Sequence, residues 1–175
     1  ARLTTPQAMY HFISGYTAKV AGTERDMGSE PAATFSTCFG APFMALPAEV
    51  YARLFREKVQ KQKVTVWLVN TGWTGGPFGV GHRMDIAHTR ALLRAALSGV
   101  LDAVPFHLDE TFGLLVPDTV PGVPDGILHP RETWSDKAAY DRVARELIAK
   151  FAENFQEYAP QVDPAVREAG PGRQK

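Results

Sequence analysis

Apolar positions recur at helical spacing in four stretches of this chain and cluster at strand-like density between them. Thr5-Pro6 reads as an N-cap followed by proline at the first helical position, with Met9, Phe12 and Ile13 as the apolar face and Gly15 as the stop. Tyr16 to Gly22 is expected to be short and partly extended, and Thr23 to Pro31 a polar turn. Thr34 to Met44 mixes aromatics with Gly40 and Pro42, which predicts a strand and then a tight connection. Pro47 opens a second helix in which Tyr51, Leu54, Phe55 and Val59 recur at helical spacing. Val64-Thr65-Val66-Trp67-Leu68-Val69 has the density of a strand covered on both faces. Asp85 then caps a helix running through Ser98, with Ile86, Leu92, Leu93, Ala96 and Leu97 inward, Arg90 and Arg94 outward, and Gly99 at its end. Residues 100 to 133 are proline-rich, with one strand expected near Phe112 to Val116. A long helix from Ser135 to about Tyr158 carries a stripe of Tyr140, Val143, Leu147, Phe151 and Phe155 and ends before Pro160. The class these elements predict is α/β, a mixed sheet with packed helices.

Between the strand and the third helix lies Asn70-Thr71-Gly72-Trp73-Thr74-Gly75-Gly76-Pro77-Phe78-Gly79-Val80-Gly81-His82-Arg83-Met84-Asp85. Its five glycines remove side chains where a ligand or another backbone could come close, and Arg83 follows them directly. Ligands of α/β proteins gather at such strand-to-helix junctions. The segment lacks the Gly-x-x-x-x-Gly-Lys-Ser/Thr spacing of a phosphate loop, and Gly79-x-Gly81 is not completed into a dinucleotide fingerprint. A loop that needs glycine only for its bends is the plain alternative. Arg83 favours a site, because a guanidinium can stack on a base or pair with phosphate oxygens. Thr89, one helical turn beyond Asp85, could add a hydroxyl to the same ligand, although a helical threonine is more often packed or solvated.

Composition narrows the field. Lys+Arg and Asp+Glu balance at 19 each, so no global basic field points to nucleic acid or to an anionic membrane. No apolar run reaches the roughly 20 residues of a membrane helix. The single cysteine, Cys38, cannot form an internal disulfide and reads as a packed thiol, in keeping with a reducing, cytoplasmic setting. The histidines His11, His82, His88, His107 and His129 are scattered without metal-ligand spacing. His82 and His88 read as surface or capping residues, and Glu24 and Glu30 as solvated. The opening Ala1-Arg2-Leu3-Thr4 has no initiator methionine, which suggests a segment of a longer polypeptide or a processed product.

Several collinear motifs carry a resemblance. Asn70-Thr71-Gly72-Trp73, Gly81-x-Arg83 and Thr89-Arg90-Ala91 are joined by Arg2-Leu3-Thr4, Met9-Tyr10-His11-Phe12, Ser14 to Glu24, Phe35 to Gly40, Pro121-Gly122-Val123-Pro124 and Asn154-Phe155. In this order they resemble the carboxy-terminal part of ATP-dependent phosphoenolpyruvate carboxykinases. The resemblance implies that residues 1–170 form the carboxy-terminal portion of a carboxykinase-type nucleotide-binding domain, with 171–175 a frayed tail. It implies conversion of oxaloacetate and ATP to phosphoenolpyruvate, ADP and carbon dioxide in gluconeogenesis, with a divalent metal, manganese together with magnesium. By the same resemblance Arg2 is the catalytic arginine that contacts nucleotide phosphates and substrate, Arg83 and Met84 touch the adenosine end of ATP, and Thr89 is a further nucleotide contact. The phosphate loop, the metal ligands and the oxaloacetate-binding residues of the family are expected upstream, in a part of the polypeptide that would be this chain's partner.

Departures are few. His82 stands where lysine is expected, so a fixed charge becomes a titratable one. Asp26 replaces a usual glycine and Asp85 a serine-like cap. Two alternatives are a stand-alone nucleotide-binding or interaction module without catalysis, and a purely structural domain with a flexible glycine loop.

Overall fold

The computed structural model describes residues 1–19 and 32–172, so the polar turn expected over 23–31, Glu24, Asp26 and Glu30 lie outside the described residues. In chain order the described elements are β1 (Arg2–Leu3), α1 (Thr5–Ser14), β2 (Tyr16–Lys19), β3 (Ala32–Phe35), α2 (Ala48–Gln62), β4 (Val66–Trp67), β5 (Trp73–Thr74), β6 (His82–Arg83), α3 (Ile86–Ser98), β7 (Phe106–Asp109), β8 (Leu114–Pro117), α4 (Pro130–Thr133), α5 (Lys137–Phe155) and α6 (Pro164–Arg167). Short 3₁₀ turns link several of them. The class is α/β, and every pairing among the described strands is antiparallel. No helix among the described residues is long and apolar enough to cross a membrane.

Local chemistry sets most of the boundaries. Thr4, not Thr5, caps α1: its hydroxyl accepts from the Gln7 amide while Gln7 Oε1 accepts from the Thr4 amide at 3.0 Å, a reciprocal capping box. Pro6 consequently falls one position later in the first turn than expected. Gly15, in the left-handed region, ends the helix. Asp85 accepts from the Ala87 amide at 2.7 Å to start α3, and Asp136 accepts from the Ala139 amide at 2.9 Å to start α5. That helix ends at Phe155, short of Tyr158, and Pro160 falls in the turn that follows.

Two cores result. One joins Met9, Tyr10 and Ile13 of α1 to Ala52 of α2, Phe151 and Phe155 of α5, and Val166 of α6. Tyr10 stacks on Phe155 with ring centroids 3.9 Å apart, and Phe12 on Phe55 at 4.7 Å. Gly170 and Pro171 are also buried, Gly170 against the Tyr10 ring, where a side chain would collide; the last three residues of the expected tail lie outside the described residues. The second core sets Ala95 of α3 on Leu101, Val120, Val123 and Leu128.

Four expectations need correction. The run Val64 to Val69 yields only the two-residue strand β4, at the edge of the sheet of order β4-β1-β8-β7, and Val64 is 54% exposed. An edge strand lacks a neighbour on one side, so density of apolar residues does not guarantee cover. On α3 the buried side runs through Ala91, Leu92, Ala95 and Ala96, whereas Ile86, Leu93 and Leu97 face outward. Small residues let α3 sit close on the turns beneath it, which displaces the larger leucines to the far side. On α5 the buried residue is Ala144, not Val143. Residues 100 to 133 contain a hairpin of two strands, β7 and β8, paired from Phe106↔Pro117 to Asp109↔Leu114, and not one strand alone.

Candidate functional site

The glycine-rich segment is itself a hairpin, and not a bare turn between strand and helix. Trp73 pairs with Arg83 and Thr74 with His82, and the residues between them form the bend. Gly81 is required there: a Cβ on it would lie 2.4 Å from the Gly76 carbonyl oxygen and 2.5 Å from that of Thr74. Backbone crossing this tightly admits no side chain. The Met84 amide donates to the Gly72 carbonyl at 3.0 Å, closing the base of the hairpin immediately before Asp85 begins α3.

This geometry brings two of the four proposed ligand residues together. Arg83 and Met84 line a cavity of about 560 Å³, within the range of about 300 to 1,000 Å³ common for small-molecule sites. The hairpin supplies one wall through Gly75, His82 and Arg83, and the start of α3 supplies Asp85 and His88. Pro124, Ile127 and Thr133, from the turn before α4 and from α4 itself, form a second wall. Arg83 is exposed, with its guanidinium carbon 5.9 Å from the centroid of the cross-strand Trp73 ring, at the outer limit of a cation–π contact. Met84, Pro124 and Ile127 give the same cavity apolar surface. An exposed planar cation beside apolar walls suits a flat ligand that carries negative charge.

Thr89 and Arg2 stand elsewhere. Thr89 is half-buried in the first turn of α3, its amide bonded to the Asp85 carbonyl at 3.0 Å, and it does not line the cavity. Arg2 sits on β1 between β4 and β8, opposite Trp67 and Leu115, with its guanidinium carbon 4.3 Å from the Phe106 ring centroid. Trp67 stacks on that same ring at 6.1 Å, so Arg2 rests beside an aromatic pair and outside the cavity lining.

Other candidates resolve plainly. Burial pushes the Cys38 thiol up to about 11, the opposite of what a nucleophile needs. His82 is exposed on β6 and His88 half-buried, yet both line the cavity. His107 and His129 stack at 4.4 Å, and His107 Nδ1 lies 2.7 Å from Asp118. Among the described residues no group of three or more His, Cys, Asp or Glu converges to hold a metal ion. The wall from Pro124 to Thr133 was missed as a site in the sequence, where only Pro121 to Pro124 stood out. His88 carried a usable signal, since three residues after a capping aspartate places it on the cap's side of the helix.

Comparison with known proteins bears on this site. A family profile described as phosphoenolpyruvate carboxykinase matches residues 1–126. The chain belongs to the phosphoenolpyruvate carboxykinase family. Among its carboxykinase relatives, the phosphoenolpyruvate carboxykinase (ATP) of Thermus thermophilus is 59% identical over 171 residues, covering 98% of this chain and 32% of the relative. That of Parvibaculum lavamentivorans is 60% identical with the same coverage, and that of Geobacillus thermodenitrificans 55% identical over 97% of this chain and 32% of the relative. The chain thus spans about a third of the length of these carboxykinases. The profile match includes the whole glycine hairpin and all of α3, so it covers Arg83 and Met84, and the relatives' match continues through Ile127 and Thr133.

Proposed function

We propose that this chain forms one side of the nucleotide pocket of an ATP-dependent phosphoenolpyruvate carboxykinase and works only together with the remaining part of a longer polypeptide. The reaction is oxaloacetate plus ATP to phosphoenolpyruvate, ADP and carbon dioxide, serving gluconeogenesis in the cytoplasm. Loss of carbon dioxide from oxaloacetate leaves an enolate, and its oxygen takes the γ-phosphoryl group of ATP as ADP leaves. Most of the barrier in such a transfer is met by positioning and by charge neutralisation.

The observation that carries the proposal is the meeting of Arg83 and Met84 in one cavity beside apolar walls. Met84 and Ile127 would border the adenosine end, while the exposed Arg83 beside Trp73 would stack on or pair with it. Thr89 would act on the nucleotide from the first turn of α3, behind the cavity lining. Arg2 would offset charge on the phosphates, a role that needs the nucleotide to reach from the cavity to β1. The divalent metal of the family, manganese or magnesium, neutralises phosphate charge when bound. The described residues offer no set of ligands for it, and the proposal leaves its ligands to the rest of the polypeptide.

Paired variants of the complete enzyme test these roles. Arg83→Ala should raise the KM for ATP about tenfold with kcat little changed, since it removes a charge-assisted contact made in ground and transition states alike. Arg2→Ala should instead lower kcat. An unchanged nucleotide KM in Arg83→Ala would remove the hairpin from the nucleotide site.

A further inference from the structure

The two walls of the cavity are clasped together by one hydroxyl. Thr133, the last residue of α4, donates its only hydroxyl proton to the Pro130 carbonyl at 2.7 Å. Its lone pairs accept from the Gly75 amide at 3.1 Å, a bond that spans 58 residues of sequence and joins α4 to the glycine hairpin. Gly75 lies between its partners: a Cβ there would meet the His82 ring at 3.5 Å and the Thr133 carbonyl at 3.7 Å, and its φ of +77° favours glycine.

The anchor on the far side is firm. Arg131 of α4 grips Asp141 of α5 with two parallel bonds of 2.8 and 3.1 Å. Lys137 Nζ donates to the carbonyls of Arg131 and Glu132 at 3.1 and 2.7 Å, satisfying the end of α4. Trp134, next in the chain, sets its ring edge-on to Tyr140 at 5.5 Å. The same helix α5 carries Phe151 and Phe155 into the aromatic core. The hairpin has two-residue strands and an exposed tip; the Met84–Gly72 bond, the turn on the Pro77 carbonyl and the Trp73–Phe78 ring contact hold it together internally, and the Thr133 bond ties it to α4.

We infer that Thr133 is a positioning residue for the nucleotide: through Gly75 it sets the separation of the wall bearing Arg83 from the wall bearing Ile127. This rests on the nucleotide site proposed above. A hydroxyl bonded on both sides fixes that spacing, whereas a methyl of equal size leaves the Gly75 amide unpaired.

The test uses the complete carboxykinase polypeptide with Thr133→Val, Thr133→Ser and Arg83→Ala. Thr133→Val should raise the KM for ATP about 2- to 10-fold, the range for one lost hydrogen bond, with kcat within about twofold. Thr133→Ser, which keeps the hydroxyl, should stay within about twofold of the parent in both. Hydrogen–deuterium exchange of the peptide covering Trp73 to Arg83, without nucleotide, should quicken in the valine variant and not in the serine one. The inference is overturned if the valine variant keeps its KM, if serine is impaired as much as valine, or if exchange is the same in all. Should Arg83→Ala raise the KM while Thr133→Val does not, the clasp alone fails. Should Arg83→Ala leave the KM unchanged, the nucleotide site itself fails, and with it any positioning role for Thr133, even where valine loosens the hairpin.

Discussion

The two cores of this molecule are built from different materials. Around Phe151, rings from α1, β2 and β3 meet it tilted or edge to face: Tyr10 at 6.3 Å, His11 at 5.6 Å, Tyr16 at 5.1 Å and Phe35 at 5.2 Å. Beneath α3 the second core is alanine, valine and leucine, drawn partly from turns, and it lies directly under the cavity wall of Pro124 and Ile127. Large interlocking rings make a stiff centre in which few alternative arrangements fit. Small residues and turns make a surface that can carry a site, held in place by bonds such as that between Thr133 and Gly75. The aromatic half anchors, and the aliphatic half carries the candidate site.

Truncating the anchor is the severest way to break this contrast. Phe151→Ala should cost about 3–5 kcal/mol, the usual range for a buried phenylalanine whose cavity cannot collapse. Urea denaturation of the chain measures it. A loss below about 1 kcal/mol would mean that the rings around Phe151 repack freely, and the centre would not be stiff.

A pH titration sharpens the same point by a different route. His11 is 8% exposed in the aromatic core, its Nε2 has no hydrogen-bond partner among the described residues, and burial holds its pKa down from 6.5 to about 4. Its folded pKa lies below the unfolded one, so between those values the unfolded chain binds more protons. Stability is therefore whole above pH 6.5 and falls as the solution is acidified towards pH 4, with little further loss below. The full loss from this group is at most about 3 kcal/mol. His11→Leu should remove that part of the pH dependence in denaturation between pH 7 and 4.5. An equal slope in both proteins would show that the imidazole is not the group that titrates.

Much of the anchor could be read from sequence, because caps and stripes are local. Gly15 bounds α1 as its chemistry requires, and Tyr140, Phe151 and Phe155 are buried as their spacing implied; in the other half Asp85 and Gly99 likewise bound α3. The aliphatic half was harder for physical reasons. The strands of the glycine hairpin are two residues each, too short to show alternation, so the segment reads as a turn. β7 does alternate, Phe106 and Leu108 against His107 and Asp109, but it follows Pro105 in a stretch of irregular composition. Arg83 stands out beside the glycines and Met84 only through the family resemblance, whereas the Thr133–Gly75 bond spans 58 residues, a separation no local pattern encodes. On α3 apolar residues lie on both sides of the helix, and periodicity cannot say which side faces inward.

That ambiguity on α3 supplies the mildest test. Leu97 is 87% exposed and Leu93 is also open, while Ala95 on the opposite side is buried. If the small residues form the packed side, Leu97→Ser in this chain should change stability by no more than about 0.5 kcal/mol, as for most surface substitutions. Ala95→Leu should be much more damaging, costing about 1–3 kcal/mol, because added methylenes must push α3 off Leu101 and Val123. Urea midpoints for the two variants measure the asymmetry directly. The reverse ranking, with serine at 97 the costly change, would turn α3 over, put its leucines into the core, and undo the contrast between an aromatic anchor and a small-residue half that bears the site.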